Sequence, residues 1–220
     1  MIAKNLITDG IMPLKTSDTG RSALSWMEDF RVMHLPIVNN EGLLGLISEL
    51  DIYSFNDFDE PIGNHALSLI RPFVYENQHI YEVMRLVQEY HLSLIPVVDE
   101  HDNYLGSISL QSLLEYFAAS LSVSEPGGVV VLELNVNDFV LSEIARIVES
   151  NDTKILSLFV HSNIDSTKLE IMLKLNKKDI GAVIQTFIRF NYNILTSFSE
   201  NDDFDDLRDR YDSLMNYLKV

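Results

Sequence analysis

The apolar positions of the first 120 residues follow a pattern that occurs twice. Short apolar runs at residues 35–38 and 43–47, separated by a polar turn, predict two strands joined as a hairpin. The same arrangement returns at residues 95–98 and 104–108. A helical face precedes each hairpin, formed by Ala23, Trp26, Met27 and Phe30 in the first copy and by Ile80, Val83, Met84 and Val87 in the second. The pattern predicts two copies of one unit in the order strand, helix, strand, strand, helix.

The two copies align residue by residue. Pro36 and Pro96 lie 60 positions apart, and Gly45 and Gly106 lie 61 apart. The second copy therefore has one extra residue in the turn between its strands. A true repeat tolerates an insertion at this place because turns absorb changes of length.

A further helix follows each hairpin. Ser48 is predicted to begin it in the first copy, with Leu50 and Tyr53 on its inner side. In the second copy the inner side is formed by Leu113, Leu114 and Phe117. A polar segment with Pro and Gly at residues 56–64 is predicted to connect the two copies.

The pattern changes after residues 125–128, where a proline and two glycines interrupt any helix. Strands are predicted at 129–134, 155–160, 169–175 and 194–198, and helices at 141–148 and 180–188. This βαββαβ order is that of the ferredoxin-like split unit, in which both helices cover one face of an antiparallel sheet. The predicted fold class is α/β (α+β), with repeats at 1–60 and 61–122, a βαββαβ domain at 128–200 and a C-terminal helix at 201–220.

The C-terminal segment is amphipathic by pattern. Its apolar residues recur at spacings of three and four, as Phe204, Leu207, Tyr211, Leu214 and Leu218. Such a stripe must be buried, either on the body of the same chain or on a partner chain. Both alternatives remain open from the sequence.

Charge and composition exclude several classes of function. The formal charge is −17, and residues 1–125 carry 6 Lys and Arg against 18 Asp and Glu, so nucleic acid is not an expected partner. The chain has no cysteine, which excludes disulfides and thiolate chemistry. No apolar run reaches membrane-spanning length, so we expect a cytoplasmic protein that contacts no membrane. The histidines show no metal-binding spacing, and no nucleotide-loop or nucleophile motif occurs, so neither a metal site nor catalysis is predicted.

The doubled unit resembles the cystathionine-β-synthase (CBS) domain, which occurs as tandem pairs. The resemblance rests on the apolar-Pro-apolar-Val strand in each copy, on Gly45 and Gly106, and on the motif from Ser48 to Asp51. It covers about residues 1–120. It implies two clefts for adenosine compounds, such as AMP, ADP, ATP or S-adenosylmethionine.

The resemblance also implies roles for individual residues. Ser48 and Asp51 would hold the ribose hydroxyls, since a carboxylate accepts hydrogen bonds from vicinal hydroxyls. The remaining expected contacts are His34, Leu35 and Pro36 around the adenine, and Thr16, Lys15, Arg21 and Arg71 around phosphates. Ser48 and Asp51 would equally form a helix cap with no ligand present, and the two interpretations are compatible.

The second copy departs from this motif. Ser112 stands where the first copy has Asp51, and Glu76 stands at the position of Thr16. The ribose acceptor is then missing, and a carboxylate near the expected phosphates is repulsive. We expect one competent cleft and one degraded cleft.

The βαββαβ segment looks like an ACT-type domain, and a CBS pair followed by an ACT domain is similar in arrangement to acetoin-utilisation regulators. Phe139 stands near the position where amino-acid-binding ACT domains often carry glycine, which favours a dimerising or partner-facing role. The sequence thus predicts a non-enzymatic regulator that needs no cofactor, forms a homodimer, and relays an adenosine ligand to the ACT-like domain or the dimer. A protein partner would use the ACT-like domain or the C-terminal helix. The alternative is a ligand-free structural dimerisation module.

Overall fold

A computed structural model describes residues 1–65, 69–162 and 167–199. The chain divides into two compact units between Tyr116 and Phe117. The C-terminal helix predicted for residues 201–220 lies outside the described residues, and the predicted domain limits stay a prediction. The α/β fold class is confirmed.

The first unit contains the duplicated elements. They are α1 (Gly20–Phe30), β1 (His34–Asn39), β2 (Gly42–Ser48), α2 (Glu49–Tyr53), β3 (Val74–Tyr75), α3 (Ile80–Glu89), β4 (Leu94–Val98), β5 (Tyr104–Ser109) and α4 (Leu110–Ser120), the last crossing the division. Helices α1 and α4 have 11 residues each. Within the described ranges, no helix is both long enough and apolar enough to cross a membrane.

The two predicted hairpins form with the same register. Strands β1 and β2 pair antiparallel with Pro36 opposite Leu46, and β4 and β5 pair with Pro96 opposite Ser107. Each hairpin has a register irregularity at the equivalent place, after Ile37 and after Val97. The duplication read from the sequence is therefore present in the backbone.

The inner side of α2 differs from the prediction. Ile52 is fully buried, whereas Leu50 is 80% exposed and Tyr53 is 56% exposed. Ser48 caps the helix and so sets its rotation, which places Ile52 against Gly20 at the start of α1. In α4 the equivalent Leu113 is buried, but Leu114 is 68% exposed, so its predicted inward position was wrong as well.

The first segment of each repeat pairs with the hairpin of the other repeat. The Thr8 amide donates to the Ser107 carbonyl at 2.8 Å, and the Leu46 amide donates to the Ile70 carbonyl at 2.9 Å. Residues 7–8 thus border β5, while residues 69–70 border β2. This reciprocal exchange interlocks the two repeats.

Hydrogen bonds also join the turns of the two hairpins. The Tyr104 amide donates to the Glu41 carbonyl at 2.7 Å. Arg71 donates to the Leu43 carbonyl at 3.1 Å through Nε and lies 3.3 Å from Asp102 through Nη2. One guanidinium therefore joins the first hairpin to the turn of the second.

The second unit has the predicted βαββαβ order. Its elements are β6 (Val129–Asn135), α5 (Leu141–Ser150), β7 (Ile155–Ser162), β8 (Lys168–Leu175), α6 (Gly181–Arg189) and β9 (Asn193–Phe198). The sheet has the strand order β7-β8-β6-β9, with every pair antiparallel. This is the ferredoxin-like topology. Alternate residues of β8, starting at Leu169, join Ile144, Ile184 and Phe187 in one buried core between the sheet and its helices.

Candidate functional site

Ser48 and Asp51 form a reciprocal cap at the start of α2. The Asp51 amide donates to Ser48 Oγ at 3.1 Å, while the Ser48 amide and hydroxyl donate to Asp51 Oδ2 at 2.8 and 2.6 Å. Asp51 is exposed, and its second oxygen, Oδ1, accepts no hydrogen bond from any described residue. The cap therefore holds the carboxylate in place with one oxygen and leaves the other for an external donor.

His34 lies beside this motif because it pairs with Ser48 across the β1–β2 ladder. Its Nδ1 is 3.0 Å from Ser93 Oγ and accepts from the Ser93 amide at 3.3 Å. The Met33 amide donates to the same hydroxyl at 2.9 Å. An unprotonated Nδ1 suits these contacts, so the neutral ring carries its proton on Nε2. The two repeats thus meet directly beneath the capped carboxylate.

Leu35 and Pro36 continue the strand from His34 into the core. Both side chains are buried, and the Pro36 carbonyl accepts from the Leu14 amide at 2.8 Å. These residues can offer a ligand little beyond the strand backbone next to His34. Their predicted contact with adenine stays a prediction.

The charge state of His34 is set by burial and by Asp51. Burial lowers the pKa of His34 below its ordinary value of 6.5, and the nearby Asp51 carboxylate opposes part of that shift. The unfolded chain therefore binds the proton first as the pH falls. Stability from the neutral ring is complete above about pH 6.5 and is lost as the pH falls through the lower folded pKa.

We expect His34→Asn to flatten the pH dependence of unfolding below about pH 6.5, because the Asn oxygen can accept from Ser93 without titrating. The measurement is urea unfolding of both proteins between about pH 5 and 8. His91→Asn is the control, since His91 is exposed and has a left-handed backbone that Asn tolerates. If the free energy of unfolding of His34→Asn depends on pH as strongly as that of the wild type, His34 is not the group whose protonation destabilises the fold.

Lys15 and Thr16 lie at the opposite end of β1. Leu14 bridges Ile37 in parallel, whereas Ser48 pairs with His34, three residues away along β1. Leu14 is therefore roughly 10 Å from Ser48 along the strand direction, and the chain turns at Thr16 just beyond Leu14. Lys15 and Thr16 instead line a separate depression of about 360 Å³ together with Pro13, Leu14, Ser17, Val38, Asn39 and Asn40.

The two predicted arginines are engaged elsewhere. Arg21 binds both carboxylate oxygens of Asp59, at 2.6 and 3.0 Å, and this hydrogen-bonded pair lowers the pKa of Asp59. Arg21 borders a depression of about 580 Å³ between α1 and α2, with Tyr53 and Phe58 on its rim. Arg71 joins the hairpins. The structure thus brings Ser48, Asp51 and His34 together, but not the four predicted phosphate contacts.

The equivalent motif in the second repeat binds a residue of its own chain. Thr8 Oγ1 lies 2.7 Å from Ser112 Oγ and 3.2 Å from Ser109 Oγ, and it accepts from the Ser109 amide at 3.1 Å. Ser109 still caps α4, since the Ser112 amide donates to its hydroxyl at 3.1 Å. Glu76 is paired with Lys4 at 2.6 Å. A closed cluster of hydroxyls therefore stands where the first repeat presents an open carboxylate.

Sequence reasoning missed Thr8. Nothing in the spacing of Thr8 indicates a contact with residues 109 and 112, because the contact depends on the crossing of the preceding segment to the other repeat. The one available signal was the loss of the carboxylate at Ser112. The Ser112 hydroxyl can form a hydrogen bond with a second hydroxyl, such as that of Thr8. Asp51, in the first repeat, is already bonded to Ser48 and needs no such partner.

Replacing Thr8 by Val should destabilise the first unit by about 1–2 kcal/mol, because two buried or half-buried serine hydroxyls and one amide lose a partner. Urea unfolding followed by the fluorescence of Trp26, the sole tryptophan, measures this loss. Thr16→Val is the matched control at an exposed position and should change stability by less than about 0.5 kcal/mol. Equal effects of the two variants would show that the cluster contributes nothing.

Known proteins resemble the duplicated unit. Residues 69–119 match the family model described as the CBS domain, so the second repeat contains a CBS domain. A homoserine O-acetyltransferase from Methanococcus vannielii is 29% identical over 119 residues, which make up 51% of this chain and 24% of that enzyme. The chain thus spans about a quarter of the length of that relative.

Two solved structures show the same kind of likeness. A CBS domain pair/ACT domain protein from Thermotoga maritima is 26% identical, with a TM-score of 0.49, and the match covers 55% of this chain and 99% of that one. CBSX2 in complex with AMP is 19% identical, with a TM-score of 0.46, and the match covers 56% of this chain and 98% of that one.

Proposed function

We propose that the first repeat binds the ribose of an adenosine compound through Asp51. The observation that carries the proposal is the exposed carboxylate whose Oδ2 is held by the Ser48 cap and whose Oδ1 accepts no bond from any described residue. An oxygen fixed in this way accepts from vicinal hydroxyls without further ordering, which reduces the entropy lost on binding. Ser48 then positions the carboxylate rather than contacting the ligand, because its hydroxyl hydrogen is already donated.

The ligand should carry little negative charge. Lys15 and Thr16 line a depression at the end of β1 far from Ser48, and Arg21 and Arg71 already bind carboxylates. The repeat half is itself strongly acidic. A chain of phosphates would find none of its predicted partners here, so S-adenosylmethionine and AMP are favoured over ADP and ATP without magnesium.

The proposed role is regulatory and non-enzymatic. A ligand at Asp51 would contact the site where His34 and Ser93 join the two repeats. It can therefore favour one arrangement of the pair over another, and the ACT-like second unit or a homodimer would receive the change. The acetyltransferase relative shares only a quarter of its length, so its activity is not carried over to this chain.

The test is calorimetric titration with S-adenosylmethionine, AMP, ADP, ATP with and without magnesium, and NAD. Wild-type protein should bind at least one of them, and Asp51→Asn should weaken that binding by at least about tenfold, because a charged hydrogen bond is lost. Glu49→Gln removes the same charge two residues earlier, in the same first turn of α2, and should leave the affinity nearly unchanged. No binding by wild-type protein, or equal losses in both variants, would refute the proposal.

A ligand-free assembly module is the second candidate. Its support is the exposure of apolar side chains at equivalent positions of the two repeats, Tyr53 on α2 and Leu114 on α4, next to the exposed Leu50 and Leu110. Exposed apolar residues shared by two helices are typical of an interface between copies. Under this candidate Asp51→Ala costs only the cap, about 1 kcal/mol, and no compound in the panel binds.

A further inference from the structure

Strand β7 lies at one edge of the sheet in the second unit, whose strand order is β7-β8-β6-β9. The second half of this strand is exposed on both faces of the sheet. Phe159 is 42% exposed, and Val160, whose side chain points to the opposite face, is 44% exposed. At the beginning of the strand the Ser157 hydroxyl is bound to the Leu121 carbonyl at 3.1 Å, so the open part of the edge lies beyond it.

The direction of the backbone groups of β8 follows from two hydrogen bonds. The Leu175 amide donates to the Gly128 carbonyl at 2.9 Å, and the Val136 amide donates to the Thr167 carbonyl at 2.9 Å, so residues 167 and 175 face β6. Successive residues of a strand direct their amides and carbonyls to alternating sides. Met172 and the other even-numbered residues of β8 therefore face β7.

The free edge of β7 carries backbone groups that point away from the sheet. Phe159 pairs with Met172, so its amide and carbonyl are directed to β8. Leu158, Val160 and Ser162 alternate with Phe159 and direct theirs outward. Within the described residues, no hydrogen bond from outside the sheet reaches these groups. The edge thus offers a row of donors and acceptors that a further strand can bind.

This edge lacks the features that usually protect an edge strand. Between Ile155 and Ser162 the strand has no charged residue, no proline and no glycine, and its register irregularity lies at the beginning, before Ser157. The opposite edge strand, β9, has its irregularity in the middle, between Ile194 and Thr196. Because β7 carries no charge, two copies can approach along it without repulsion between like charges, although the formal charge of the chain is −17.

The side chains of β7 fit a second copy of the same strand. In an antiparallel pair with a two-fold axis at Phe159, this residue lies opposite itself. Leu158 then lies opposite Val160 of the partner subunit, and Ser157 lies opposite His161 of the partner subunit. Apolar side chains therefore meet apolar ones, and polar side chains meet polar ones. The outward groups of Leu158 and Val160 form the hydrogen bonds, so Phe159 is in the pair where side chains are closest.

We propose that two copies of the chain pair antiparallel through β7, with Phe159 at the two-fold axis. The two four-stranded sheets then form one sheet of eight strands. A two-fold axis at Val160 would instead place Leu158 opposite a serine, Ser162 of the partner subunit, and would bury the apolar side chains less well. The proposal does not depend on the adenosine site in the first unit.

The absence of native cysteine allows a direct test in the full chain. In the paired form of Phe159→Cys the two Cα atoms lie about 4.5 Å apart, which is within the range of a disulfide. Mild oxidation should give a disulfide-linked dimer on the order of tenfold faster than in His161→Cys, where the two Cα atoms are about 14 Å apart. His161 is a matched control because it is exposed and lies on the same face of the same strand. Equal rates, or no cross-linked dimer in Phe159→Cys, would overturn the proposal.

A second test acts on the backbone and needs no cysteine. Val160→Pro removes an outward amide and leaves the hydrogen bonds between β7 and β8, and proline is tolerated at the free edge of a sheet. It should weaken association of the chain by at least about tenfold relative to Val160→Thr, which keeps the amide. Sedimentation equilibrium over a range of concentrations measures the association, and circular dichroism checks that both variants fold as the wild type does. If the two variants associate equally, the β7 edge is not an interface and the proposal fails.

Discussion

Gly45→Ala should lower the free energy of unfolding of the first unit by about 3 kcal/mol. Gly45 has φ +158, and an added Cβ would lie 2.8 Å from the Ile70 carbonyl oxygen and 2.9 Å from Leu69 Cβ. That carbonyl accepts from the Leu46 amide, so it cannot retreat without breaking the bond that ties the crossing segment to β2. The substitution thus acts on the link between the repeats.

Two other glycines serve as controls. Gly42→Ala should change stability by less than about 0.5 kcal/mol, because φ is ordinary there and the nearest atom is 3.7 Å away. Gly106→Ala meets the Ile7 side chain instead of a carbonyl, so we expect an intermediate loss of about 2 kcal/mol. Urea unfolding followed by Trp26 fluorescence ranks the three variants. If Gly45→Ala is as mild as Gly42→Ala, the crossing segment is not where the structure has it.

Phe187→Ala should destabilise the second unit by about 3–5 kcal/mol. Phe187 is fully buried on α6, and its ring meets the edge of Tyr192 with centroids 5.3 Å apart. Removal of the ring leaves a cavity between the helices and the sheet, and the β8 residues beneath it are held by pairing on both sides, so they cannot collapse into the space. Hydrogen exchange of peptides from residues 129–199 measures the loss.

Ile188→Ala is the matched control for Phe187→Ala. Ile188 is the next residue on the same helix and is 48% exposed, so its truncation should cost less than about 1 kcal/mol. Trp26 reports on the first unit in both variants. Comparable protection loss in the two variants would mean that Phe187 is not part of a packed core.

Helices and strands were predictable from the sequence where their apolar residues recur with a single helical or alternating spacing. The hairpins, α1, α3 and the βαββαβ order follow from alternating or helical spacing of apolar residues, because burial of one face is the main stabilisation of each element. The rotation of α2 was not predictable. A five-residue helix has too few turns to define a face, and its rotation is set by the Ser48 cap and by the close approach of Ile52 to Gly20.

The candidate site was predictable only in part. Ser48 and Asp51 are neighbours in sequence, and a cap needs only local spacing, so the motif and its geometry agree. The phosphate contacts involve residues far apart in the chain. Whether Lys15 or Arg21 reaches Ser48 depends on strand register and on competing partners such as Asp59, neither of which leaves a sequence signal.

From the order of its residues alone, this chain could be read as a duplicated α/β unit followed by a βαββαβ unit, with a carboxylate in one repeat and a serine in the other. Local interactions and apolar periodicity are enough for that. Only the tertiary structure shows that residues 7–8 pair with the second repeat and residues 69–70 with the first. It also shows that Thr8 completes the hydroxyl cluster at Ser112, and that α5 and α6 cover one face of the second sheet. Those outcomes depend on contacts between distant segments, whose free energies are set by three-dimensional packing rather than by spacing along the chain.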